Sequence, residues 1–172
     1  RGLGDVYKRQ SKDLVRDLLN MFPKCSFYNV YGTTETAIIS HWHKISKKDL
    51  KCETIPVGKQ LPQINTILIK NNNEEAKINE RGNAFVYGTQ VSRGYWKNDF
   101  LNKKYFCDNP TKKPIFEKLY NTGDVLYKNK DDIFFYFGRQ DSQIKVRGCR
   151  VEIEEIENTF RTKSICKDIT VI

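Results

Sequence analysis

Apolar and polar positions divide the chain into one amphipathic helix followed by a series of short strands. From Val15 to Phe22, apolar residues recur at intervals of three and four residues, which is the spacing of one helical face, and Pro23 ends the run. Beyond it the apolar runs become short and are separated by glycine, proline and asparagine turns, which is typical of strands. The predicted strands cover residues 25–30, 37–42, 64–70, 84–87, 120–127, 133–137 and 143–147.

The pattern changes after Gly148. Because glycine adopts backbone conformations that are closed to other residues, we expect the chain to turn there and to begin a helix. Ile153, Ile156 and Phe160 lie on one face of this predicted helix, and its first turns are rich in glutamate, as the helix dipole favours. Residues 169–172 have the pattern of a further strand. The sequence therefore predicts a mixed α/β fold, with a β-rich, barrel-like region followed by the start of a smaller α+β region.

Composition places the chain among soluble globular proteins. Its 172 residues are 38% hydrophobic and 30% charged, and no apolar run is long enough to cross a bilayer, so we expect no membrane insertion. The five cysteines are far apart and form no CxxC pair, which favours reduced thiols and a cytoplasmic location. His41 and His43 stand at strand spacing without further ligands, so we interpret them as structural residues rather than metal ligands.

The formal net charge of +9 leaves several kinds of partner open. Lysine and arginine are spread along the chain rather than clustered, so an anionic small substrate or an acidic partner protein explains the charge as well as nucleic acid does. A nucleic-acid-binding module would show salt-sensitive affinity and indifference to ATP. The first ten residues, 1–10, lead into no pattern and are interpreted as a non-native tail.

Three loops combine glycine with groups that bind small ligands. Residues 29–35 read NVYGTTE, where hydroxyls suit phosphate oxygens, the carboxylate suits Mg²⁺, and Tyr31 offers a flat face to a base. Residues 120–124 read YNTGD, and Asp124 suits a sugar diol. Arg139 follows an aromatic strand and donates several hydrogen bonds in a fixed fork. Taken alone, the first loop is better explained as an ordinary polar turn, and the second is equally well explained by an Asp that caps a turn.

Taken together and in this order, the loops resemble the motifs of the adenylate-forming superfamily, which includes amino-acid adenylation domains and acyl-CoA ligases. The first loop is similar to N-x-Y-G-x-T-E, and residues 82–96 are similar to G-E-x-x-x-x-G-x-x-x-x-G-Y. The second loop matches Y-x-T-G-D, and residues 138–157 match G-R-x-D-x-Q-x-K-x-x-G-x-R-x-E-x-x-E-I-E. The resemblance extends from about Phe22 to the last residue. Thr33 stands where the family commonly has proline, which predicts a looser loop.

The resemblance implies ATP and Mg²⁺ as cofactors and gives each matching position a role. Tyr31 stacks on adenine, Asn29 holds its edge, and Gly32 lets the backbone approach the nucleotide. Thr34 contacts the α-phosphate and Glu35 binds Mg²⁺, so both are expected to be catalytic. The ribose and adenine contacts are completed by three residues of the later motifs, which are Asp124, Arg139 and Tyr136.

The resemblance also implies a substrate pocket and a hinge. Val30, Ile38 and Ile39 fall near positions that line the pocket of amino-acid-activating members, and their apolar character fits a small or aliphatic substrate. A core strand explains Ile38 and Ile39 equally well. Asp141 falls at the hinge between two domains. Residues 11–140 would then be the C-terminal part of the large AMP-binding domain, and residues 141–172 the hinge and the start of the small C-terminal domain.

The activity implied is that of an AMP-forming acid–thiol ligase. Such an enzyme forms an aminoacyl-adenylate and transfers the aminoacyl group to a phosphopantetheine thiol on a carrier protein. The motifs are most similar to those of D-alanine–D-alanyl carrier protein ligases and nonribosomal peptide synthetase adenylation domains, with acyl-CoA synthetases as an alternative. The family's upstream phosphate loop and C-terminal lysine have no counterpart here. The resemblance thus implies an inactive fragment of a larger enzyme, and a non-catalytic binding remnant stays open.

Overall fold

The computed structural model describes residues 11–111, 118–141, 143–146 and 149–163. Within these ranges, three α-helices and two 3-10 turns accompany a larger number of short strands. The helices are α1 (Lys12–Met21), α2 (Asp99–Tyr105) and α3 (Ile153–Thr162), and the 3-10 turns are Thr34–Thr36 and Lys47–Lys51. The strands are β1 (Tyr28–Tyr31), β2 (His41–Lys44), β3 (Lys59–Gln60), β4 (Ile64–Ile69), β5 (Arg81–Gly88), β6 (Phe106–Cys107), β7 (Leu119–Lys128), β8 (Phe134–Arg139), β9 (Gln143–Val146) and β10 (Cys149–Glu152).

Two antiparallel sheets make up the larger of two compact units, which ends at Gln140. The first sheet has the strand order β1-β2-β3. In the second sheet β5 lies between β4 and β7, and β6 and β8 both pair with the other edge of β7. Backbone hydrogen bonds of 2.8 and 3.1 Å between Gly58 and Phe134 connect the residue before β3 to β8. The two sheets are therefore joined through β8.

Apolar side chains cover both faces of the second sheet. Leu68 and Ala84 belong to one buried cluster, whereas their chain neighbours Ile69 and Phe85 belong to another. Successive side chains of a strand point to opposite faces, so the two clusters lie on opposite sides of the sheet. This double burial explains why the strands read as apolar runs rather than as strict alternation. The predicted mixed α/β, sheet-rich fold is confirmed, with the second sheet curled like half of a barrel.

The strand predicted for residues 37–42 begins later than predicted. Ala37 and Ile38 adopt left-handed backbone conformations, with φ angles of 55° and 75°, and β2 begins only at His41. A strand requires extended backbone, so these two residues end the preceding 3-10 turn instead. The explanation of Ile38 as a core-strand residue is wrong, because Ile38 is 74% exposed.

The apolar pattern predicted neither a helix nor a strand in the stretch that contains helix α2. The Asn98 side chain caps it by accepting a hydrogen bond from the Leu101 backbone N–H at 3.0 Å. Asp99 in the first turn and Lys103 and Lys104 in the last turn complement the helix dipole. The start signal was thus present in the sequence as Asn-Asp, but the helix has only seven residues and the surrounding lysines obscured its periodicity.

Among the described residues, the smaller unit begins at Asp141. In its described part, β9 and β10 form an antiparallel pair, and α3 follows. The predicted helix at Ile153 is confirmed, but the expectation that it starts directly after the glycine is wrong because β10 intervenes. Gly148 itself, the predicted tail at residues 1–10 and the predicted strand at 169–172 lie outside the described residues. Among the helices that the structure describes, none has the length and apolar character needed to span a membrane.

The two α-helices of the larger unit, α1 and α2, allow a test of side-chain capping. Ala in place of Asn98 removes the side-chain acceptor of α2, so Asn98→Ala is expected to lower the free energy of unfolding by about 1 kcal/mol. Ser11 occupies the N-cap position of α1 without a side-chain capping hydrogen bond, so Ser11→Ala is the matched control, with a change of only a few tenths of a kcal/mol. Urea unfolding of the intact protein measures both. Equal effects of the two substitutions would contradict the capping role of Asn98.

Candidate active site

The Asn-Thr-Gly-Asp stretch forms an irregularity in the middle of β7. The register of β7 against β5 shifts within this stretch, and its register against β8 shifts directly after it, between Val125 and Leu126. Gly123 adopts a φ of 73° that other residues rarely adopt. Local side chains satisfy the disturbed backbone. Thr122 Oγ1 donates to the Ala84 carbonyl at 2.9 Å and accepts from the Asp124 N–H at 3.0 Å, and Asn121 Oδ1 accepts from the Gly123 N–H at 3.0 Å. The motif therefore builds the bulge that presents Asp124.

Asp124 is a buried carboxylate that is bound by two donors from other strands. Arg139 Nη1 donates to Asp124 Oδ1 at 2.9 Å, across the β7–β8 pair in which the two residues stand opposite each other. The Tyr31 hydroxyl donates to Asp124 Oδ2 at 2.6 Å from the end of β1. The side chains of the ion pair are only 5% (Asp124) and 8% (Arg139) exposed. Because the pair is removed from water, its charge-assisted hydrogen bonds are stronger than those of a surface pair.

Tyr31 has its hydroxyl in this polar centre and its ring against the apolar core. Desolvation, and secondly the neighbouring Asp124 carboxylate, raise the pKa of the Tyr31 phenol well above its ordinary value. The hydroxyl therefore stays protonated and acts as a donor throughout the physiological pH range. Tyr136 packs against the same core cluster as Tyr31. The structure thus brings together four of the residues that the motifs predicted, from the first loop, β7 and β8.

His41 is the cross-strand neighbour of Tyr31 and supports it from within the sheet. Its ring meets those of Tyr31 and Phe134 edge to face, at centroid distances of 5.5 and 4.9 Å. Nδ1 is 2.9 Å from Ser40 Oγ and Nε2 is 3.2 Å from Thr66 Oγ1. Burial lowers the pKa of His41 to about 4, so the ring is neutral at pH 7. The buried ring thus packs within the sheet, and the described residues contain no cluster of three side chains able to hold a metal.

Close backbone packing defines the loop after Tyr31. A Cβ atom on Gly32 would lie 2.4 Å from the Ile38 carbonyl oxygen, so only glycine fits. The Thr33 N–H donates to Thr36 Oγ1 at 3.0 Å, and its carbonyl accepts from the Ile38 N–H at 2.8 Å. Proline lacks the N–H for the first of these bonds, and the looser loop expected from Thr33 stays a prediction. Threonine at this position adds a contact within the turn.

Glu35 lies in the same turn but contacts a different cluster. It is 7% exposed, and its Oε1 accepts a hydrogen bond from the Tyr95 hydroxyl at 2.5 Å. Burial, followed by this hydrogen bond to Glu35, raises the pKa of Tyr95 above its ordinary value, so Tyr95 remains a donor. Sequence reasoning did not single out Tyr95. The available signal was its place in the Gly-Tyr-Trp end of the second motif.

The other predicted site residues are placed as follows. Asn29 Nδ2 donates to the Pro56 carbonyl at 2.7 Å, and Thr34 is exposed at the start of the 3-10 turn. Val30 is 51% exposed and Ile39 is partly buried. Asp141 is the first described residue of the smaller unit, and its Oδ1 accepts from the Gln143 N–H at 3.3 Å.

Comparison with known proteins defines the class. The model of a protein family described as AMP-binding enzyme matches residues 8–96, just over half of the chain. The fold matches PA1221, an NRPS protein containing adenylation and PCP domains, with a TM-score of 0.81 and 26% identity over 90% of this chain and 31% of that one. The chain therefore belongs to the family of AMP-binding enzymes. The predicted resemblance is confirmed at this level.

Two curated relatives show how much of a larger protein the chain represents. Gramicidin S synthase 1 of Brevibacillus brevis is 35% identical over 136 residues, which cover 78% of this chain and 12% of that protein. A D-alanine–D-alanyl carrier protein ligase of Bacillus licheniformis is 32% identical over 161 residues, 92% of this chain and 31% of that protein. The chain thus spans less than a third of the length of either relative.

Substitution by alanine is expected to affect stability very differently at Gly32 and at Gly138, two glycines of the site motifs. Gly32→Ala places a methyl group against the Ile38 carbonyl and the Ser40 N–H, and should lower the free energy of unfolding by about 1–3 kcal/mol. Gly138→Ala is the control, since nothing lies within 4 Å of the Cβ position there, and should change stability by less than about 0.5 kcal/mol. Denaturant unfolding of the intact protein compares them. A neutral Gly32→Ala would refute the close approach described for this loop.

Proposed function

We propose that this chain is part of an ATP-dependent, AMP-forming ligase that activates an amino acid as its adenylate and transfers it to a phosphopantetheine thiol of a carrier protein. The observation that carries the proposal is the convergence of Tyr31 and Arg139 on the buried carboxylate of Asp124. Three separate motifs contribute one residue each to this point. An ordinary set of polar turns gives no reason for such a convergence.

The nucleotide roles follow from this arrangement. An ionised carboxylate accepts up to about four hydrogen bonds, so a ribose diol would join or replace the donors already on Asp124. Arg139 would hold the carboxylate in place and donate to the ribose. The ring of Tyr31 would stack on adenine, with Tyr136 beside it and Asn29 at the edge of the base. Because His41 packs edge to face against Tyr31 and is neutral, it would keep the ring oriented without adding charge.

The phosphate end of the site would be formed by the turn at Thr34 and Glu35. Mg²⁺ is usually bound through one or two carboxylates, with substrate phosphates and water completing the octahedron. A single buried carboxylate at Glu35 fits a metal of this kind, which arrives with the nucleotide, better than a site made of protein ligands alone. When bound, Mg²⁺ stabilises negative charge at the phosphates. Thr34, which is exposed beside Glu35, would donate to the α-phosphate, and the backbone at Gly32 would lie close to it.

The proposal also names a class of substrate and two candidate enzyme types. Val30 and Ile38 expose apolar side chains, which suits a small or aliphatic amino acid. D-alanine is our first candidate, and the similarity to a D-alanine–D-alanyl carrier protein ligase supports it. A nonribosomal peptide synthetase adenylation domain is the second candidate, supported by the similarity to PA1221. We further propose a cytoplasmic protein in which Asp141 is the hinge between the two domains, residues 11–140 and 141–172, and rotation there exchanges the two half-reactions.

Amino-acid-dependent exchange of pyrophosphate into ATP tests the function. The intact protein is assayed against each proteinogenic amino acid, D-alanine, and a panel of fatty and aryl acids. We expect exchange with a small set of amino acids, and exchange with D-alanine alone would support the first candidate. Exchange with fatty or aryl acids only would contradict the proposed amino acid substrate and indicate an acyl-CoA synthetase instead. No exchange with any acid, in a protein that carries the phosphate loop and the C-terminal lysine, would leave the binding remnant as the explanation.

Substitution of Asp124 tests the ribose assignment. Asp124→Ala removes a charge-assisted acceptor, worth about 1.5–3 kcal/mol for each hydrogen bond, which corresponds to a rise in KM for ATP of at least about tenfold. Since it also leaves the buried Arg139 without its carboxylate, Asp124→Asn is made alongside to preserve shape. Asp108→Asn is the control, because Asp108 forms an exposed ion pair with Lys118 and should have no effect. An unchanged KM for ATP in both Asp124 variants would show that the ribose binds elsewhere.

A further inference from the structure

We propose that Tyr95 is a positioning residue for the Glu35 carboxylate, and that it sets the affinity of the site for the divalent cation. The inference rests on the proposed function, in which Glu35 binds the metal. Its starting observation is the 2.5 Å hydrogen bond that the Tyr95 hydroxyl donates to Glu35 Oε1. The two residues are 60 positions apart in the chain, so the fold and not local sequence brings them together.

The segment that contains Tyr95 binds Glu35 at two points. The Ser92 N–H donates to the Glu35 carbonyl oxygen at 2.8 Å, while the Tyr95 hydroxyl binds the carboxylate. Both ends of the glutamate are therefore attached to one short segment. A carboxylate on a flexible side chain with three rotatable bonds loses its freedom when its backbone and one oxygen are fixed in this way. The position of Tyr95 therefore contributes to the orientation of the carboxylate.

Tyr95 is itself fixed by helix α2. Asn102 Oδ1 accepts from the Tyr95 N–H at 2.6 Å, and Asn102 Nδ2 donates to the Tyr95 carbonyl at 3.0 Å. The ring packs edge to face against Tyr105 and Phe106, with centroid distances of 6.2 and 5.7 Å. The close approach needs glycine before the tyrosine, because a Cβ on Gly94 would lie 2.7 Å from Asn102 Oδ1. Glu35 is thus held by a chain of contacts that begins in α2.

This arrangement has a chemical consequence for a metal that arrives with the nucleotide. Such a cation has few protein ligands, so the orientation of each one contributes a large part of the selectivity for the correct geometry. A partner that donates to a metal-binding carboxylate typically changes metal affinity by about 10–100-fold when it is removed. Tyr95 occupies the position of such a partner for Glu35.

The test separates positioning from packing. Tyr95→Phe keeps the ring and its aromatic contacts but removes the hydroxyl. In the intact protein we expect Mn²⁺ binding, measured by electron paramagnetic resonance with a non-hydrolysable ATP analogue present, to weaken about tenfold. The Mg²⁺ concentration for half-maximal pyrophosphate exchange should rise by the same factor, while KM for ATP at saturating Mg²⁺ changes less than twofold. Tyr105→Phe, the same change in the neighbouring ring, is the control and should leave both quantities unaltered.

Two further variants keep the outcomes distinct. In a Glu35→Gln background, Tyr95→Phe should have no additional effect on Mn²⁺ binding, because its target carboxylate is gone. Asn102→Ala removes the two hydrogen bonds to the Tyr95 backbone but keeps the Tyr95 hydroxyl, and it should also weaken Mn²⁺ binding. This variant replaces Tyr95→Phe in the test if Tyr95→Phe does not fold. If Tyr95→Phe binds Mn²⁺ normally and Glu35→Gln binds it weakly, the role of Tyr95 is refuted and the metal role of Glu35 is retained. Normal Mn²⁺ binding in Glu35→Gln would overturn the metal role of Glu35 in the proposed function.

Discussion

Burial of the Asp124 carboxylate is the constraint on which the arrangement of the two sheets depends. An ionised carboxylate that is removed from water costs several kcal/mol unless opposite charge and hydrogen bonds compensate for it. Arg139 supplies the charge from β8, and Tyr31 supplies a neutral donor from β1. One partner therefore comes from each sheet. A carboxylate at this position is stable only when both sheets are in place, so the same contact that prepares a ligand site also specifies how β1 meets β7.

Two contacts of this kind hold the first part of the chain between β1 and β2. Tyr31, at the end of β1, is attached to Asp124, and Glu35, four residues after Tyr31, is attached to Tyr95. The chain then turns back, which brings the Ile38 carbonyl against Gly32 and leaves no room for a side chain there. The spacing of tyrosine, glycine and glutamate in this motif is thus a mechanical requirement. Each residue type is needed for a different reason: a donor with a flat face, the absence of a Cβ, and a carboxylate.

The sequence predicted the strands of the second sheet well because their apolar runs are bounded by clear turns. It also predicted the residues that meet at Asp124, since each belongs to a motif whose residue types are chemically distinctive. It did not predict α2, because a seven-residue helix in a lysine-rich stretch shows little periodicity. Tyr95 was missed for a different reason. A tyrosine in an aromatic loop is indistinguishable from a packing residue until a carboxylate 60 positions away is found at its hydroxyl.

Ile38 shows how local strain relates to the proposed site. A β-branched residue in the left-handed region costs roughly 1–2 kcal/mol, and a residue with 74% of its surface exposed recovers little of this by burial. Backbone hydrogen bonds offset the cost, because the Ile38 N–H donates to Thr33 and the next residue but one, Ser40, donates to the Tyr31 carbonyl. Glycine or asparagine would adopt the same backbone with less strain. An isoleucine here is therefore difficult to explain by the stability of the turn, whereas the substrate contact proposed for Ile38 would give its exposed apolar side chain a role.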